Sequence, residues 1–159
     1  MRITQKVKSQ AEHYIKPILI QRRKSKNNYG KHWVKSMNKF EIINKAMTEI
    51  GLNYEFMEWS KEPLYPYFVG EYQEIEPTTE DGLQESTFIL SGFTRGTWLD
   101  LETAKATIEN YFNKISGKIV TEEGYAVAIF YANSTPVQTG DAELKRIDIY
   151  LTVKEWKVN

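Results

Sequence analysis

The stretch ESTFILSGFTRGTWLDLETAKATIENYFNKI, residues 85–115, decides the fold of this chain. Its opening is rich in β-branched and aromatic residues and predicts a strand over Ser86–Phe93. The corner that follows ends in Thr97, a good N-cap residue, and places Asp100 where an acid favours the helix dipole. Beyond the corner, apolar residues recur at helical spacing and predict a long helix with one buried stripe. That stripe consists of Leu101, Ala104, Ile108, Tyr111 or Phe112, and Ile115.

A second helix is predicted upstream, over Asn38–Ile50. Asn38 followed by Glu41 resembles a capping box, and Gly51 is a natural residue to end the helix. The buried stripe of this helix consists of Phe40, Ile43, Met47 and Ile50.

Two further strands are predicted between this helix and Ser86. They are Tyr54–Trp59 and Tyr67–Glu76, the second with Gly70 as a candidate bulge. The segment Lys61–Pro66 carries two prolines and is interpreted as a loop or a sheet edge. The regular spacing of the three strands predicts an antiparallel meander.

The chain closes with a predicted hairpin, in which Gly124–Ala132 pairs with Glu143–Trp156. Apolar and polar residues alternate in the second of these strands, which is typical of a half-exposed strand. The polar link Asn133–Ala142 is longer than a hairpin needs, and it is either a floppy loop tip or an arm that reaches a neighbour. The element order αβββαββ predicts an α+β fold with a mostly antiparallel sheet packed by two helices.

Charge divides the chain into two parts. Residues 1–36 carry ten Lys/Arg and one acid, and so a net charge of +9. Residues 37–159 carry eleven Lys/Arg and twenty Asp/Glu, and so a net charge of −9. We therefore predict a basic leader over residues 1–36 and a single α+β domain over residues 37–159.

Three interpretations of the leader stay open. It is a solvated tail or an extension before an internal start at Met37, an arm that docks on an acidic neighbouring subunit, or an arm that lies along nucleic acid. The candidate arm contacts are Arg22, Arg23, Lys24, Lys26, Lys31 and Trp33. The body offers an acidic counterpart on its first two strands, which is either an ordinary solvated face or a surface that receives a basic partner. Its acids are Glu55, Glu58, Glu62, Glu71, Glu74 and Glu76.

Residues suited to catalysis or metal binding are scarce. The chain has no Cys, and its two histidines, His13 and His32, both lie in the leader. Glu122 and Glu123 are adjacent, so their side chains point apart and form no carboxylate pair. We therefore expect no enzyme activity, no catalytic or metal-binding residue and no cofactor. Every apolar run is far shorter than the roughly 20 residues of a membrane span, so we expect no membrane partner.

From Met37 onward, the sequence resembles small phage tail-completion proteins, in particular tail terminators of long-tailed bacteriophages with Gram-positive hosts. MNKFEIINKAMTEIGLNYEF looks like the opening helix and first strand of that family. ESTFILSGFTRGTWLDLETAKATIENYF is similar to its strand-then-helix block, and VAIFYANSTPVQTGDAELKRIDIYLTVKEW resembles its closing hairpin. The leader departs from the pattern, because such proteins usually begin near the first helix.

The resemblance implies a homohexameric ring that caps the tail tube, stops its polymerisation and helps to join tail to head. It implies tail-tube and head-connector proteins as partners, DNA passing through the lumen, and a location in the virion tail after assembly in the host cytoplasm. A head-to-tail connector or a tail-tube protein is the alternative within the same class. The alternative of a different class is a small nucleic-acid-binding protein that uses the basic leader.

Overall fold

Two helices pack on one face of a six-stranded sheet in the part of the chain that the structure describes. The structure, a computed structural model, describes residues 38–76 and 82–157. The helices are α1 (Lys39–Glu49) and α2 (Trp98–Tyr111). The strands are β1 (Asn53–Phe56), β2 (Tyr67–Glu74), β3 (Leu83–Thr94), β4 (Lys118–Glu122), β5 (Tyr125–Val137) and β6 (Lys145–Lys157).

The strands lie across the sheet in the order β1-β2-β3-β6-β5-β4. Every neighbouring pair is antiparallel except β1 and β2, which are parallel. The predicted α+β class with two helices is therefore confirmed. The order αβββαββ is wrong by one strand, because β4 stands between α2 and β5. The predicted antiparallel meander is also wrong, because its first two strands, β1 and β2, pair in parallel.

The parallel pair forms because residues 57–66 carry the chain back from the end of β1 to the start of β2. Asn53 Nδ2 donates a hydrogen bond to the Leu64 carbonyl oxygen at 3.0 Å. A Glu55 carboxylate oxygen accepts from the Ser60 backbone N–H at 2.7 Å. Both bonds tie the returning loop to β1, so the chain cannot turn back on itself as a hairpin would.

Both helix starts form as predicted. At α1, the Glu41 N–H donates to Asn38 Oδ1 at 2.9 Å, and the Asn38 N–H donates to a Glu41 carboxylate oxygen at 3.3 Å. Gly51 follows the helix with a φ of +74°, a conformation that glycine adopts without strain. At α2, the Thr97 N–H donates to Asp100 Oδ2 at 2.7 Å. Local sequence therefore fixes where each helix begins.

The buried stripe of α2 stops at Phe112, and the prediction that Ile115 belongs to it is wrong. Ile115 is 76% exposed. The helix ends at Tyr111, after which Asn113 Oδ1 accepts hydrogen bonds from the N–H groups of Ile115 and Ser116 at 2.8 and 3.1 Å. These bonds turn the chain away from the helix axis before the stripe reaches Ile115.

The predicted bulge at Gly70 is also wrong. Gly70 pairs in regular register with Leu90, and a Cβ atom there would lie 2.7 Å from the Phe88 ring. The glycine therefore allows close packing rather than a kink. The irregularity in the sheet lies in β5, where the register shifts between Tyr131 and Asn133.

The closing hairpin is longer than predicted. β5 continues to Val137 and β6 begins at Lys145, so the first half of the predicted link is strand. In the connecting turn, Thr139 Oγ1 donates to the Leu144 carbonyl oxygen at 2.7 Å. We call residues 133–145 the hairpin arm.

The main core lies between the two helices and the sheet face that they cover. Both helices and all the long strands contribute to it. Its fully buried large side chains are Phe68, Phe88, Phe112, Ile43, Met47, Leu90, Leu101, Ile108, Ile129, Ile147, Ile149 and Leu151. A smaller apolar cluster of Ala126, Ala128, Phe130 and Trp156 lies on the opposite face of the sheet. That second face carries no helix in the described part of the chain.

Candidate assembly surface

Within residues 38–76 and 82–157, no group of three or more His, Cys, Asp or Glu side chains is placed to hold a metal ion. The absence of enzyme activity stays a prediction. The candidate arm contacts of the leader lie outside the described residues. They are Arg22, Arg23, Lys24, Lys26, Lys31 and Trp33. The remaining candidates for a functional site are surfaces that could bind another protein.

The hairpin arm forms one wall of a groove of about 530 Å³. The other wall is Trp98, the first residue of α2, whose side chain is 44% exposed. Pro136, Val137, Ala142 and Leu144 of the arm supply further apolar surface. An exposed tryptophan beside apolar side chains of a hairpin is the kind of pairing that protein interfaces use.

Ion pairs fix the tip of the hairpin arm to the body. Arg95 lies 3.2 Å from Asp141 and 3.7 Å from Glu143. The Glu143 backbone N–H donates to the Asp141 carboxylate at 2.9 Å, and this bond, with help from Arg95, lowers the pKa of Asp141. A hydrogen bond with Tyr65 raises the pKa of Arg95. The tip is thus held at a defined position at one end of the sheet.

A row of stacked side chains crosses the helix-free face of the sheet at that same end. Trp59 packs on Tyr67 with ring centroids 4.7 Å apart, and Tyr67 stacks on Phe93 at 5.2 Å. Arg146 then lies over the Phe93 ring at 5.5 Å. These residues come from the 57–66 loop, β2, β3 and β6, so the row joins four elements into one surface.

A polar cluster continues this row into the sheet. Arg146 donates from Nε and from its terminal nitrogen to the two oxygens of Asp148, at 2.9 and 3.0 Å. Ser91 Oγ donates to Asp148 Oδ1 at 2.8 Å, and both Ser91 and Asp148 are buried. The paired geometry satisfies the carboxylate, which makes this cluster a structural clamp between β3 and β6.

A buried ion pair anchors α1 to the opposite end of the sheet. Lys39 Nζ lies 2.8 Å from a Glu155 carboxylate oxygen and 3.3 Å from Ser86 Oγ. The Tyr125 hydroxyl donates to the other Glu155 oxygen at 2.8 Å. Burial, with the neighbouring carboxylate, raises the pKa of Tyr125. Lys39, which directly precedes the predicted core position Phe40, is buried because this pairing satisfies its charge.

β2 has an outer edge without a strand partner along Glu71–Glu74. β1 ends at Phe56, and the next N–H, of Met57, donates to the Gly70 carbonyl at 2.8 Å. All four residues of Glu71–Glu74 are exposed, and no strand within the described ranges pairs with them on this side. We call Glu71–Glu74 the open edge of β2.

Exposed rings flank the open edge. Phe40 of α1 packs on Phe56 and Tyr72, with centroids 4.9 and 4.7 Å apart. Phe56 is 39% exposed, Tyr72 40% and Ile75 43%. A sheet edge with exposed apolar side chains is a template for pairing with another strand.

Acidic side chains are frequent in β1, β2 and the loop between them, where the sequence predicted them. Residues 53–76 carry six glutamates and one lysine, Lys61. Glu55 pairs with Lys61 at 2.9 Å, and Glu74 lies 3.7 Å from Lys39. The other four have no ion-pair partner among the residues that the structure describes. They are Glu58, Glu62, Glu71 and Glu76.

No helix in the described residues is long and apolar enough to cross a bilayer.

Comparisons with known proteins find solved structures with a similar fold. No protein-family model matches this sequence, and none of the curated proteins matches it. Among solved structures, a chain from the virion of a native gene transfer agent particle matches with a TM-score of 0.50 and 12% identity, over 70% of this chain and 84% of that chain. A second solved protein, which carries no functional description, matches with a TM-score of 0.53 and 12% identity, over 73% of this chain and 88% of that chain. At such identity the likeness shows that the fold is shared.

Sequence reasoning missed three parts of this surface. The Trp98 groove depends on where the hairpin arm folds back, and the stacked row joins residues that are up to 87 positions apart, Trp59 and Arg146. The open edge exists because β1 is shorter than β2. No signal for it was available in the sequence, because β1 ends at Phe56, whereas the predicted strand ran to Trp59 and the first proline after it is Pro63.

Proposed function

We propose that this protein is a structural protein of a phage-like virion, and that it acts as a tail terminator. In this role six copies form a closed ring that caps the tail tube, stops its growth and helps to join tail to head. The role is not enzymatic and needs no cofactor. The protein would reside in the virion tail after assembly in the host cytoplasm, with tail-tube and head-connector proteins as its partners and DNA passing through the ring.

The fold likeness to a chain of the gene transfer agent virion carries this proposal. That particle is itself a virion, so the likeness favours a structural role in a particle over a regulatory or catalytic one. The terminator assignment adds the sequence resemblance of residues 37–156 to that family. Fold likeness alone would suit a connector or a tube protein equally well.

The surface geometry supports ring formation in particular. A ring requires two different surfaces on each subunit, one that binds the next copy and one that is bound by the previous copy. The hairpin arm beside Trp98 and the helix-free face with its stacked row are two such surfaces. The ion pairs of Arg95 hold the arm in place, which lowers the entropy cost of docking.

The first experiment is the solution mass of the full chain by light scattering, with imaging of the particles by negative-stain electron microscopy. Six chains of 18.6 kDa have a mass of about 112 kDa, and closed rings are expected in the images. Trp98→Ala should reduce the ring fraction. Ile115→Ala is the matched control, since Ile115 is also an exposed apolar residue but does not line the groove. If Trp98→Ala and Ile115→Ala reduce the ring fraction equally, the arm is not part of the interface between subunits.

A second measurement separates terminator from connector and tube. The protein is added to a growing tail tube of the same virus, and tube lengths are measured by electron microscopy. A terminator binds the tube end and stops elongation at substoichiometric amounts. Unchanged tube length contradicts the terminator role, and co-assembly along the tube wall indicates a tube protein instead. Salt-sensitive DNA binding by a monomer would favour the nucleic-acid-binding alternative.

A further inference from the structure

The open edge of β2 lies where the leader enters the body. Phe40 packs on Tyr72 in the middle of the open edge, and Lys39 Nζ lies 3.7 Å from Glu74. Asn38, the N-cap of α1, directly precedes both residues. Consecutive Cα atoms are about 3.8 Å apart, so a segment only a few residues long before Asn38 is long enough to reach this edge.

The charge at the edge selects the kind of strand that can pair there. Glu71 and Glu76 have no ion-pair partner in the described part of the chain, and the segment from 53 to 76 has six acids against one base. A second copy pairing through the same edge would bring these glutamates together, and like charges across strands are destabilising. A basic strand is the complementary partner.

The end of the leader has that composition. Residues 29–36 read YGKHWVKS, with Lys31 and Lys35 and no acid. Tyr29, Trp33 and Val34 are residues that favour strands. The segment is tethered directly before α1, so its effective concentration at its own edge far exceeds that of a free partner.

We propose that residues 29–36 pair with the open edge of β2 in the same chain. In this arrangement the segment continues the sheet beyond the end of β1, its lysines contact the glutamates around the edge, and Trp33 or Val34 adds apolar contact with Phe56 and Tyr72. The leader thereby covers an edge that would otherwise be free to pair with other chains. This role is separate from ring formation, which the proposed function assigns to other surfaces.

Hydrogen exchange on the full chain tests the pairing through the backbone amides of Tyr72 and Glu74, which face the open edge, whereas the alternate amides face β3. Val34→Pro removes a backbone donor from the middle of the segment and disfavours a strand. Ala11→Pro places the same substitution elsewhere in the leader and is the control. We expect slow exchange at the edge in the parent and in Ala11→Pro, and exchange faster by about tenfold in Val34→Pro. Amides in β6 report that the body stays folded in all three proteins.

Two results would overturn the proposal. Fast exchange at the Tyr72 and Glu74 amides in the parent means that nothing pairs with the open edge. Equally slow exchange in all three proteins, or protection that appears only when the solution mass rises, assigns the edge to a second copy or to another segment. The solution mass of the same samples reports on ring formation, and hydrogen exchange reports on pairing at the edge. Failure of the ring proposal can therefore be distinguished from failure of this one.

A cross-linking measurement identifies the chain that supplies the segment. The protein has no cysteine, so engineered pairs give a clean readout. Lys31→Cys with Glu71→Cys is compared with Lys31→Cys and Glu143→Cys, because Glu143 lies on the exposed hairpin tip. We expect rapid cross-linking within one chain for the first pair, slowed by high salt. Equal rates for the two pairs, or a product of two linked chains, contradict pairing within one chain.

Discussion

Lys39 and Glu155 offer the sharpest test of how the body is held together. Lys39→Met removes the cation while keeping most of the side-chain volume. Glu155 then remains buried with the Tyr125 hydroxyl as its remaining close partner. The outcome follows from the structure alone and does not depend on any assumption about function.

The expected size of the effect comes from burial. Lys39 and Glu155 are each 5% exposed and their charged atoms are 2.8 Å apart. Removing one partner of such a pair costs about 3–5 kcal/mol, because the remaining charge stays buried and uncompensated. Replacing both, in Lys39→Met with Glu155→Leu, should recover much of that loss, although the Tyr125 hydroxyl then lacks its acceptor, which costs about 1–3 kcal/mol.

Urea denaturation followed by circular dichroism measures these free energies of unfolding, and a double-mutant cycle gives the coupling between the two residues. Lys45→Met is the matched control. Lys45 lies 3.9 Å from Glu49 on the surface of α1, so its loss should cost less than about 1 kcal/mol. If Lys39→Met costs no more than Lys45→Met, the buried network does not anchor α1 and the reasoning is refuted.

Three further predictions concern α2 and the sheet. Ile108→Ala should destabilise the protein by about 2–5 kcal/mol, whereas Ile115→Ala should change its stability by less than about 0.5 kcal/mol. Denaturant unfolding measures both, and similar losses of stability in the two variants would contradict the helix end described above. Gly92→Ala places a Cβ atom against the Phe68 ring, so a loss of about 1–3 kcal/mol and a lower Tm are expected; an unchanged Tm would mean that the ring moves aside freely. Burial, with the hydrogen bond to a carboxylate of α1, raises the pKa of Tyr111 to about 12. Its contribution to stability is therefore complete below about pH 10 and is lost as the pH rises towards 12, so Tyr111→Phe should show a smaller loss of stability over that window in pH-dependent denaturation.

Local interactions explain which elements the sequence could predict. Asn38 and Glu41 are three residues apart and cap α1 within one turn, and at α2 the Asp100 carboxylate accepts from the Thr97 N–H over the same spacing. The alternation in β6 places Ile147 and its alternate neighbours on the helix-covered face, as predicted. Helices and long strands with strong periodicity were therefore predictable from short windows of sequence.

The errors share a different cause. β4 is only five residues long and its side chains are all half-buried, so no clear period marks it. β1 pairs in parallel because side chains of β1 bind the backbone of the loop that returns to β2, which the spacing of strands cannot reveal. Ile115 fits the helical period and yet lies beyond the helix, because the Asn113 side chain captures the following N–H groups.

The amino-acid sequence by itself determined the helix starts, the long strands, the division into a basic leader and an acidic body, and the α+β class. Each of these depends on neighbours within a few residues or on composition. Only the tertiary structure decided the parallel β1–β2 pair, the open edge of β2, the Trp98 groove and the burial of Lys39 with Glu155, which are 116 positions apart. Such contacts depend on which strands become neighbours, and that is set by the packing of the whole core.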